Sequence, residues 1–497
     1  MIKDGKILIG KGENEVFLLP SMTNRHGLIC GATGTGKTVT LKVLAESLSD
    51  IGVPVFLADI KGDLSGCILP GTRSDSLDAR LSGIGIDPEG FEYKSYPVRF
   101  WDVFGELGHP VRTTVSDMGP TLLSRLLDLT PAQSGVLSIT FRAADDKGWK
   151  LIDLKDLRAM LGWCSEHSGE LLNEYGNISK QSAGAVQRSL LQLEDAGGDI
   201  FFGEPAIDLR DWFRFCPETG RGFINVLCCE KLYRSPLLYS TFMLWLLSEL
   251  FEMLPEIGDP EKPKLVFFFD EAHLLFRNAG RALTDSIEQL VKLIRSKGIG
   301  VFFITQQPSD IPAQILSQLG NKIQHALRAY SPSELRAVKA AADSFRSNPA
   351  FDTAEAITGL GTGEAVISTL DPKGRPCVAE KAVVLPPQSM MGAAGDEERA
   401  RAVADDTYFG KYETATDSLS AYEIIKENTS TEKEGDKQEG TEKKKKSGSS
   451  STAQKKEKKT AKTAKKAASR VSGSLLSSIG RELGRSIARG LLGIIKK

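Results

Sequence analysis

Cysteine and histidine are scarce in this chain, with seven cysteines and five histidines among 497 residues. The cysteines lack C-x-x-C spacing and the histidines lack metal-ligand spacing, which argues against a zinc site and against a disulfide framework. The adjacent pair Cys228 and Cys229 follows an apolar segment and is expected to lie in the core. We therefore expect reduced thiols.

Long apolar runs are also absent. No stretch of roughly eighteen apolar residues occurs, so no membrane-spanning helix is expected. The first residues, Met1 to Gly5, lack the apolar run of a secretory signal peptide. The sequence thus predicts a cytoplasmic protein, with peripheral membrane attachment left open by its C-terminal segment.

Positive charge is concentrated at one end of the chain. The whole sequence has 63 Lys and Arg against 64 Asp and Glu, whereas residues 441–497 have 17 basic and 3 acidic residues. The body is therefore acidic. Sequence-independent DNA binding needs Lys and Arg at the phosphates, so this composition weakens a DNA-binding role without excluding a basic pore.

A glycine-rich stretch near the N-terminus carries the strongest functional signal. It fits the phosphate-loop pattern G-x-x-x-x-G-K-[ST] and consists of Gly31, Ala32, Thr33, Gly34, Thr35, Gly36, Lys37 and Thr38. An apolar strand precedes it and a helix over residues 39–48 follows. Backbone N–H groups of such a loop surround phosphates, Lys37 reaches the β- and γ-phosphates, and Thr38 offers a hydroxyl to Mg²⁺. The expected cofactors are ATP and Mg²⁺.

A second apolar strand, predicted over residues 264–269, ends in Asp270 and Glu271. In parallel sheets the ligand lies beyond the carboxyl ends of the strands, which places both carboxylates beside the loop. Asp270 is expected to hold Mg²⁺, and Glu271 to polarise the water that attacks the γ-phosphate. A helix cap formed by Asp270 is a plainer interpretation that is compatible with these roles.

A third apolar strand, predicted over residues 299–305, ends in Gln306. An amide at this position can contact the γ-phosphate, and the alternative is an ordinary turn residue. The strand before Asp59 ends at the same edge. Asp59, Lys61 and Asp63 are therefore candidates for contact with Mg²⁺, phosphate or a neighbouring subunit.

Several segments resemble the HerA/FtsK superfamily of P-loop ATPases, and more closely a bacterial branch of HerA-like ATPases. They are Arg25-His26, the phosphate loop, and residues 59–66, 108–112, 270–273 and 305–312. The resemblance covers roughly residues 1–390. It implies an α/β fold with a RecA-like P-loop NTPase core and a mainly parallel sheet. It also implies ATP hydrolysis and assembly into a hexamer, most often for DNA translocation.

An arginine from a neighbouring subunit is expected to complete the active site, because charge builds up on the γ-phosphoryl oxygens. The resemblance to HerA-like proteins points to Arg25 and Arg295. Geometry favours Arg328, because residues 322–329 are predicted as a strand with Arg328 at its carboxyl end, whereas the other two precede their strands. A surface salt bridge is the alternative for each arginine.

The chain is predicted to have five parts. Residues 1–104 form an N-terminal hairpin and the nucleotide-binding half of the core, 105–220 a mostly helical insertion, 221–387 the second half, 388–470 a flexible linker and 471–497 an amphipathic basic helix. We expect the insertion to be a lid or a subunit contact. We expect everything after residue 387 to be separable from the ATPase core.

The last segment separates apolar residues and arginines onto opposite helical faces. The apolar positions are Leu476, Ile479, Leu483, Ile487, Leu491 and Ile494, and the arginines are Arg481, Arg485 and Arg489. Such a helix can lie on an anionic membrane, bind nucleic acid or dock onto the body of the protein, and docking or contact with a partner is favoured.

The sequence leaves two possible functions. The first is an ATP-driven, ring-forming motor that translocates nucleic acid, with helicase-like activity. The alternative is an ATPase that remodels or moves protein partners, or acts at a membrane, without nucleic acid.

Overall fold

A thirteen-stranded sheet forms the centre of the chain in a computed structural model that describes residues 1–276 and 281–430. In chain order the strands are β1 (Ile2–Lys3), β2 (Lys6–Lys11), β3 (Glu15–Leu18), β4 (Gly27–Cys30), β5 (Val55–Asp59), β6 (Val98–Asp102), β7 (His109–Pro110), β8 (Ile224–Cys228), β9 (Leu265–Phe269), β10 (Ile299–Thr305), β11 (Asn321–Gln324), β12 (Glu364–Ser368) and β13 (Glu380–Val384).

The sheet is mainly parallel, as the sequence predicted. Its order is β1-β2-β13-β12-β11-β4-β10-β9-β5-β8-β6-β7, and β3 pairs with β2. Every pair from β11 to β7 is parallel, and the pairs on the β1 side of β11 are antiparallel. The strand that leads into the phosphate loop, β4, therefore lies between β10 and β11.

Fifteen α-helices surround the sheet in the described residues. They are α1 (Lys37–Asp50), α2 (Asp75–Gly83), α3 (Val115–Leu126), α4 (Pro131–Lys147), α5 (Leu154–Glu166), α6 (Ser168–Tyr175), α7 (Lys180–Leu193), α8 (Asp199–Phe201), α9 (Pro236–Met253), α10 (His273–Phe276), α11 (Arg281–Ile294), α12 (Ala313–Leu316), α13 (Pro332–Asp343), α14 (Thr353–Gly359) and α15 (Asp396–Ala404). None of these helices combines the length and apolar character needed to cross a membrane.

The central strands are apolar along their whole length because helices cover both faces of the sheet. Along β9, Phe267 and Phe269 belong to the hydrophobic core on one face, whereas Phe268 belongs to the core on the other face. Phe268 stacks on Phe302 of β10 with ring centroids 5.1 Å apart. The alternation of side chains along each strand thus joins two cores through one sheet.

The helical insertion shares its core with one face of the sheet. Buried residues of α3 to α8 form one continuous hydrophobic cluster with α9, α11 and the β9 and β10 side chains of that face. Phe201 of α8, for example, packs edge-on against Trp245 of α9, with centroids 5.6 Å apart. The insertion is therefore packed onto the sheet rather than folded around a core of its own.

The predicted N-terminal hairpin is present and extends the sheet. β2 and β3 pair antiparallel, and β2 also pairs with β13 through Val383–Lys11 and Val384–Gly10. Residues near the start of the sequence are thereby joined to β13, the last strand of the sheet in chain order.

The segment from residue 386 to residue 430, here called the C-terminal belt, lies across the body of the protein. It begins against the phosphate-loop helix, where Glu46 of α1 accepts hydrogen bonds from the backbone N–H groups of Gln388 (2.7 Å) and Ser389 (3.2 Å). Further along, the buried Arg99 of β6 pairs with Asp406 at 2.8 Å.

The belt then reaches the helical insertion. The Tyr412 hydroxyl donates to Asp211 at 2.5 Å, and the Ser420 hydroxyl donates to Asp156 of α5 at 2.5 Å. Tyr412 and Ala421 are almost fully buried. The belt therefore connects the nucleotide-binding half of the core to the insertion.

The prediction of a flexible linker from residue 388 is wrong for residues 388–430. The expectation that everything after residue 387 is separable stays a prediction, and the contacts of residues 388–430 argue against it. The composition of this stretch is polar, but its polar groups pair with buried partners far away in the sequence, which a local reading cannot detect. Residues 431–470 of the predicted linker and the predicted helix 471–497 lie outside the described residues.

All seven cysteines are free thiols, as expected. Cys228 at the end of β8 and the following Cys229 are buried in the core.

Candidate nucleotide site

The phosphate loop lies between β4 and α1, and two of its glycines have left-handed backbone conformations. The φ angles are +77° at Gly34 and +115° at Gly36, values that side chains rarely allow. The Lys37 ammonium donates to the carbonyl oxygens of Gly31 (2.7 Å) and Ala32 (3.0 Å). Burial lowers the pKa of Lys37, and this effect outweighs the charges of the nearby carboxylates of Glu271 and Asp270, which raise it.

The residues that follow β11 hold the phosphate loop and the start of α1 in place. The N–H of Ala32 donates to the carbonyl of Ala326 at 2.8 Å, and the His325 ring lies between Thr40 of α1 (2.8 Å) and the carbonyl of Glu364 (2.9 Å). Because Nδ1–H must donate to the carbonyl, Nε2 accepts from the Thr40 hydroxyl. Burial lowers the pKa of His325 to about 4, so the ring is neutral at pH 7.

β11 is shorter than predicted. The expected strand over residues 322–329 ends at Gln324, opposite Cys30, where its partner strand β4 ends and the phosphate loop begins. Arg328 is therefore not a strand residue. It is exposed, and its guanidinium donates weakly to the carbonyl of Thr358 at 3.4 Å. It nevertheless lies after the carboxyl end of β11, the edge that also carries the phosphate loop.

Asp270 lies directly after β9 and is nearly fully buried. Its Oδ1 accepts the N–H of Glu271 at 2.9 Å, while Oδ2 has no hydrogen-bond partner among the residues that the structure describes. Burial, together with the neighbouring charge of Glu271, raises the pKa of Asp270 to about 6. A buried carboxylate oxygen without a partner is costly unless a cation or water satisfies it.

Glu271 has a left-handed backbone conformation, with φ at +47°. Such a conformation is unusual for a residue with a side chain, and it often occurs where function over-determines the geometry. It turns the Glu271 side chain back over the end of the sheet, where its Oε1 lies 2.6 Å from the ammonium of Lys61.

Among the residues that the structure describes, the second oxygen of this carboxylate has only long contacts. Oε2 lies 3.5 Å from Nε2 of Gln306 and 3.5 Å from Nδ1 of His273. Burial raises the pKa of Glu271, but the hydrogen bond and charge of Lys61 outweigh this effect, so the net pKa is lowered. The carboxylate is ionised, and the structure places Gln306 and Glu271 side by side.

Lys61 comes from the loop after β5, one of the segments singled out from the sequence. Asp59 has a different role from the suggested phosphate or Mg²⁺ contact, because its carboxylate accepts the N–H groups of Lys61 (3.2 Å), Gly62 (2.8 Å) and Leu64 (3.0 Å). Burial and the charge of Asp63 raise the pKa of Asp59 to about 7. Asp59 thus shapes the loop that presents Lys61.

Two of the predicted arginines lie together at the opposite edge of the sheet. Arg25 precedes β4 and Arg295 precedes β10, and both bind the carboxylate of Asp259, at 2.8 Å and 3.2 Å. Next to Arg25, the buried His26 ring accepts the N–H of Val301 at 3.1 Å and donates to the carbonyl of Val291 at 2.9 Å. These two hydrogen bonds of His26 hold the neighbouring Arg25 beside α11 and β10.

Comparison with known sequences shows the family to which the chain belongs. The family described as helicase HerA-like C-terminal matches residues 5–497. The chain belongs to this family.

The HerA-like chain is also similar to curated proteins. It is 22% identical over 384 residues to the DNA double-strand break repair helicase HerA of Sulfolobus acidocaldarius, a match that covers 73% of this chain and 66% of that protein. It is 24% identical over 397 residues to the protein of the same name from Pyrococcus furiosus, covering 74% of this chain and 67% of that protein. The chain thus spans about two thirds of the length of these relatives.

Among solved structures, the HerA-like chain resembles the bacterial conjugative coupling protein TrwBdeltaN70. The TM-score is 0.50 at 16% identity, covering 80% of this chain and 92% of that one. This likeness concerns the fold alone, which is the α/β fold of P-loop ATPases.

Proposed function

We propose that this HerA-like chain binds and hydrolyses ATP. The observation that carries the proposal is the convergence of three strand ends: Lys37 after β4, Gln306 after β10 and Glu271 after β9. They follow adjacent parallel strands, so their side chains share one edge of the sheet. Each provides what phosphoryl transfer needs, namely a cation for the phosphates, a polar amide and a carboxylate base.

The residues fit a Mg²⁺ ion held beside the nucleotide. Asp270 offers a buried carboxylate oxygen without a partner in the described residues, and Thr38 offers a hydroxyl at the start of α1. Mg²⁺ is typically bound by one or two protein oxygens together with phosphate oxygens and water. When bound there, the ion would neutralise charge that develops on the phosphates.

Within this site Glu271 is the general base. Its carboxylate is ionised, and its Oε2 faces Gln306 with no short hydrogen bond in the described residues. That oxygen can accept a proton from a water molecule, while the Gln306 amide orients the same water or contacts the γ-phosphate. Lys37 exchanges the loop carbonyls that it now contacts for phosphate oxygens.

The binding half of the proposal is tested with Lys37→Ala. We expect this variant to lose binding of a fluorescent ATP analogue by equilibrium titration, because the only ammonium on the loop is removed. Lys42→Ala is unsuitable as a control because Lys42 is buried; Lys3→Ala, at the exposed end of β1, should bind like the parent. Unchanged binding by Lys37→Ala would contradict the assignment of this loop.

We further propose that the chain assembles into a ring, with a hexamer as the expected size, in which a neighbour's arginine completes each site. Arg25 and Arg295 are the candidates to which the resemblance to HerA-like proteins points, and Asp259 holds both guanidinium groups together in a salt bridge. Arg328 remains the alternative on the phosphate-loop edge. An arginine acting in trans contributes about 10³–10⁵ in rate where such a residue is used.

Subunit mixing tests the arginines. Mixing an Arg295→Ala variant with a Lys37→Ala variant should restore part of the ATPase activity, because an intact Lys37 site can then face an intact arginine. The same mixture with Arg328→Ala serves as the comparison. If the mixture of an arginine variant with Lys37→Ala stays inactive, that arginine does not act in trans.

We propose nucleic-acid translocation as the use of the ATPase cycle. The support is family membership and the relative named as a DNA double-strand break repair helicase. The test is the ATPase rate with and without duplex DNA at two salt concentrations, since phosphate contacts make DNA stimulation fall steeply with salt. An unchanged rate in both conditions would favour the alternative, an ATPase that moves protein partners or acts at a membrane.

A further inference from the structure

The loop after β5 presents a lysine to the proposed catalytic carboxylate. Its shape is set by Asp59, which accepts the backbone N–H groups of Lys61, Gly62 and Leu64, and by the φ of +76° at Gly62, which suits glycine. The loop is also fixed from outside, because the Ser65 hydroxyl accepts the N–H of Ala394 in the C-terminal belt at 3.0 Å. The position of Lys61 is therefore determined by contacts that do not involve the nucleotide site.

The ion pair between Lys61 and Glu271 is asymmetric. The Lys61 side chain is 47% exposed, whereas the Glu271 side chain is only 9% exposed, and the N–O distance is 2.6 Å. The pair of Lys231 and Glu106 has the same distance, but both of its side chains are more than half exposed. Exposed pairs contribute little, whereas a cation that satisfies a largely buried carboxylate constrains that carboxylate strongly.

The contact also distinguishes the two oxygens of Glu271. Oε1 is occupied by Lys61, whereas Oε2 has only the 3.5 Å contacts with Gln306 and His273 within the part of the chain that the structure describes. Gln306 follows β10, and β10 lies directly beside β4, which carries the phosphate loop. The oxygen that remains available is thus the one on the side of the nucleotide.

We propose that Lys61 is a positioning residue for ATP hydrolysis: it holds Oε1 of Glu271 so that Oε2 is the oxygen presented to the attacking water. This inference rests on the proposed role of Glu271 as general base. Lys61 acts through Glu271 and does not hold the nucleotide. Without it, the Glu271 carboxylate can rotate toward other partners, and a misplacement of about 1 Å can reduce a rate about 10²-fold.

The test uses Lys61→Met, which keeps most of the side-chain length and removes the charge. We expect kcat for ATP to fall about 10- to 100-fold while KM and the Kd values for ADP and a non-hydrolysable ATP analogue change less than about threefold. Lys61→Arg should restore most of the rate because it keeps the ion pair. The matched control Lys231→Met, which removes an exposed pair, should behave like the parent.

A double-mutant cycle separates positioning from a general effect on folding. In a Glu271→Gln background, Lys61→Met should cause less than about a twofold further loss, because the carboxylate that it positions is already gone. The proposal would be overturned if the losses in rate of the two single variants multiplied in the double variant. A normal kcat in Lys61→Met would overturn it as well. Weakened binding of the ATP analogue with unchanged ADP binding would also overturn it, by making Lys61 a γ-phosphate ligand.

The two proposals fail in different ways. If Glu271→Gln itself keeps parental turnover, the assignment of the general base is wrong and the role of Lys61 falls with it. If Glu271→Gln is inactive while Lys61→Met is normal, only the role of Lys61 is wrong.

Discussion

The C-terminal belt depends on a buried ion pair whose loss should be measurable. The Arg99 guanidinium lies between the rings of Phe223 (3.7 Å to the centroid) and Tyr408 (4.1 Å), and its Nε is 2.8 Å from Asp406. The side chains of Arg99 and Asp406 are 5% and 6% exposed. Asp406→Ala would leave the cation buried without its carboxylate, which typically costs about 3–5 kcal/mol.

Two weaker contacts place the expected loss at the lower end of this range. Arg99 also donates to the carbonyl of Asp211 at 3.4 Å and to the Thr407 hydroxyl at 3.2 Å, and both acceptors remain in the variant. We therefore expect a loss of about 3 kcal/mol in the free energy of unfolding. With an unfolding entropy of about 2.1 cal/mol/K per residue over about 430 residues, the Tm should fall by about 3 °C.

Differential scanning calorimetry provides the assay, and the neighbouring residue provides the control. Asp405 is exposed, so Asp405→Ala should change stability by less than about 0.5 kcal/mol. Adding Arg99→Met to Asp406→Ala should recover part of the loss, because the uncompensated charge is removed. Equal Tm values for the Asp405 and Asp406 variants would refute the view that the belt is an integral part of the fold.

Three further predictions follow from the same structure. Ending the chain after residue 430 should leave Tm and basal ATPase activity unchanged, whereas ending it after residue 387 should greatly lower the Tm and abolish turnover; equal stability of the two truncations in a thermal melt would contradict this. Burial lowers the pKa of His26 to about 4, so between pH 6.5 and pH 4 the unfolded state binds the additional proton and stability falls with falling pH. In His26→Gln, the loss of unfolding free energy between pH 8 and pH 5, measured with urea, should be smaller by about 2 kcal/mol, and an identical loss would show that His26 is not held neutral. Asp259→Ala should lower the ATPase rate of the assembled protein while ATP binding is unchanged, because the two guanidinium groups are no longer held together; a parental rate would separate Asp259 from the arginine function.

The central parts of the fold and site were predictable because they depend on local patterns. The phosphate loop is a contiguous motif, and Asp270 and Gln306 follow strands that are apolar on both faces. The rule that parallel strands present their carboxyl ends to the ligand then brings these residues together. No contact between distant residues had to be known for this step.

The remaining features depend on contacts between residues that are far apart in the sequence. Lys61 and Glu271 are 210 residues apart, and Thr40 and His325 are 285 residues apart. Nothing in the sequence around His325 distinguishes this histidine from an ordinary buried histidine. The C-terminal belt is not predictable from the sequence for the same reason, since polar residues such as Asp406 resemble a linker until their buried partners are known.

The same limit explains the arginine predictions. Arg328 does not lie at a strand end, because β11 ends at Gln324, four residues before Arg328. The shared carboxylate of Arg25 and Arg295 is a long-range contact as well, and it is visible only once the loop with Asp259 is placed beside α11.

The most direct test of the proposed ATPase is to measure phosphate release and ATP binding in Glu271→Gln. The variant keeps the size of the side chain and its backbone conformation but removes the base. We expect ATP affinity close to that of the parent and a rate of phosphate release lower by about 10²–10⁴-fold. A variant that releases phosphate at the parental rate would contradict the assignment of Glu271 as the general base, and with it the account of this site.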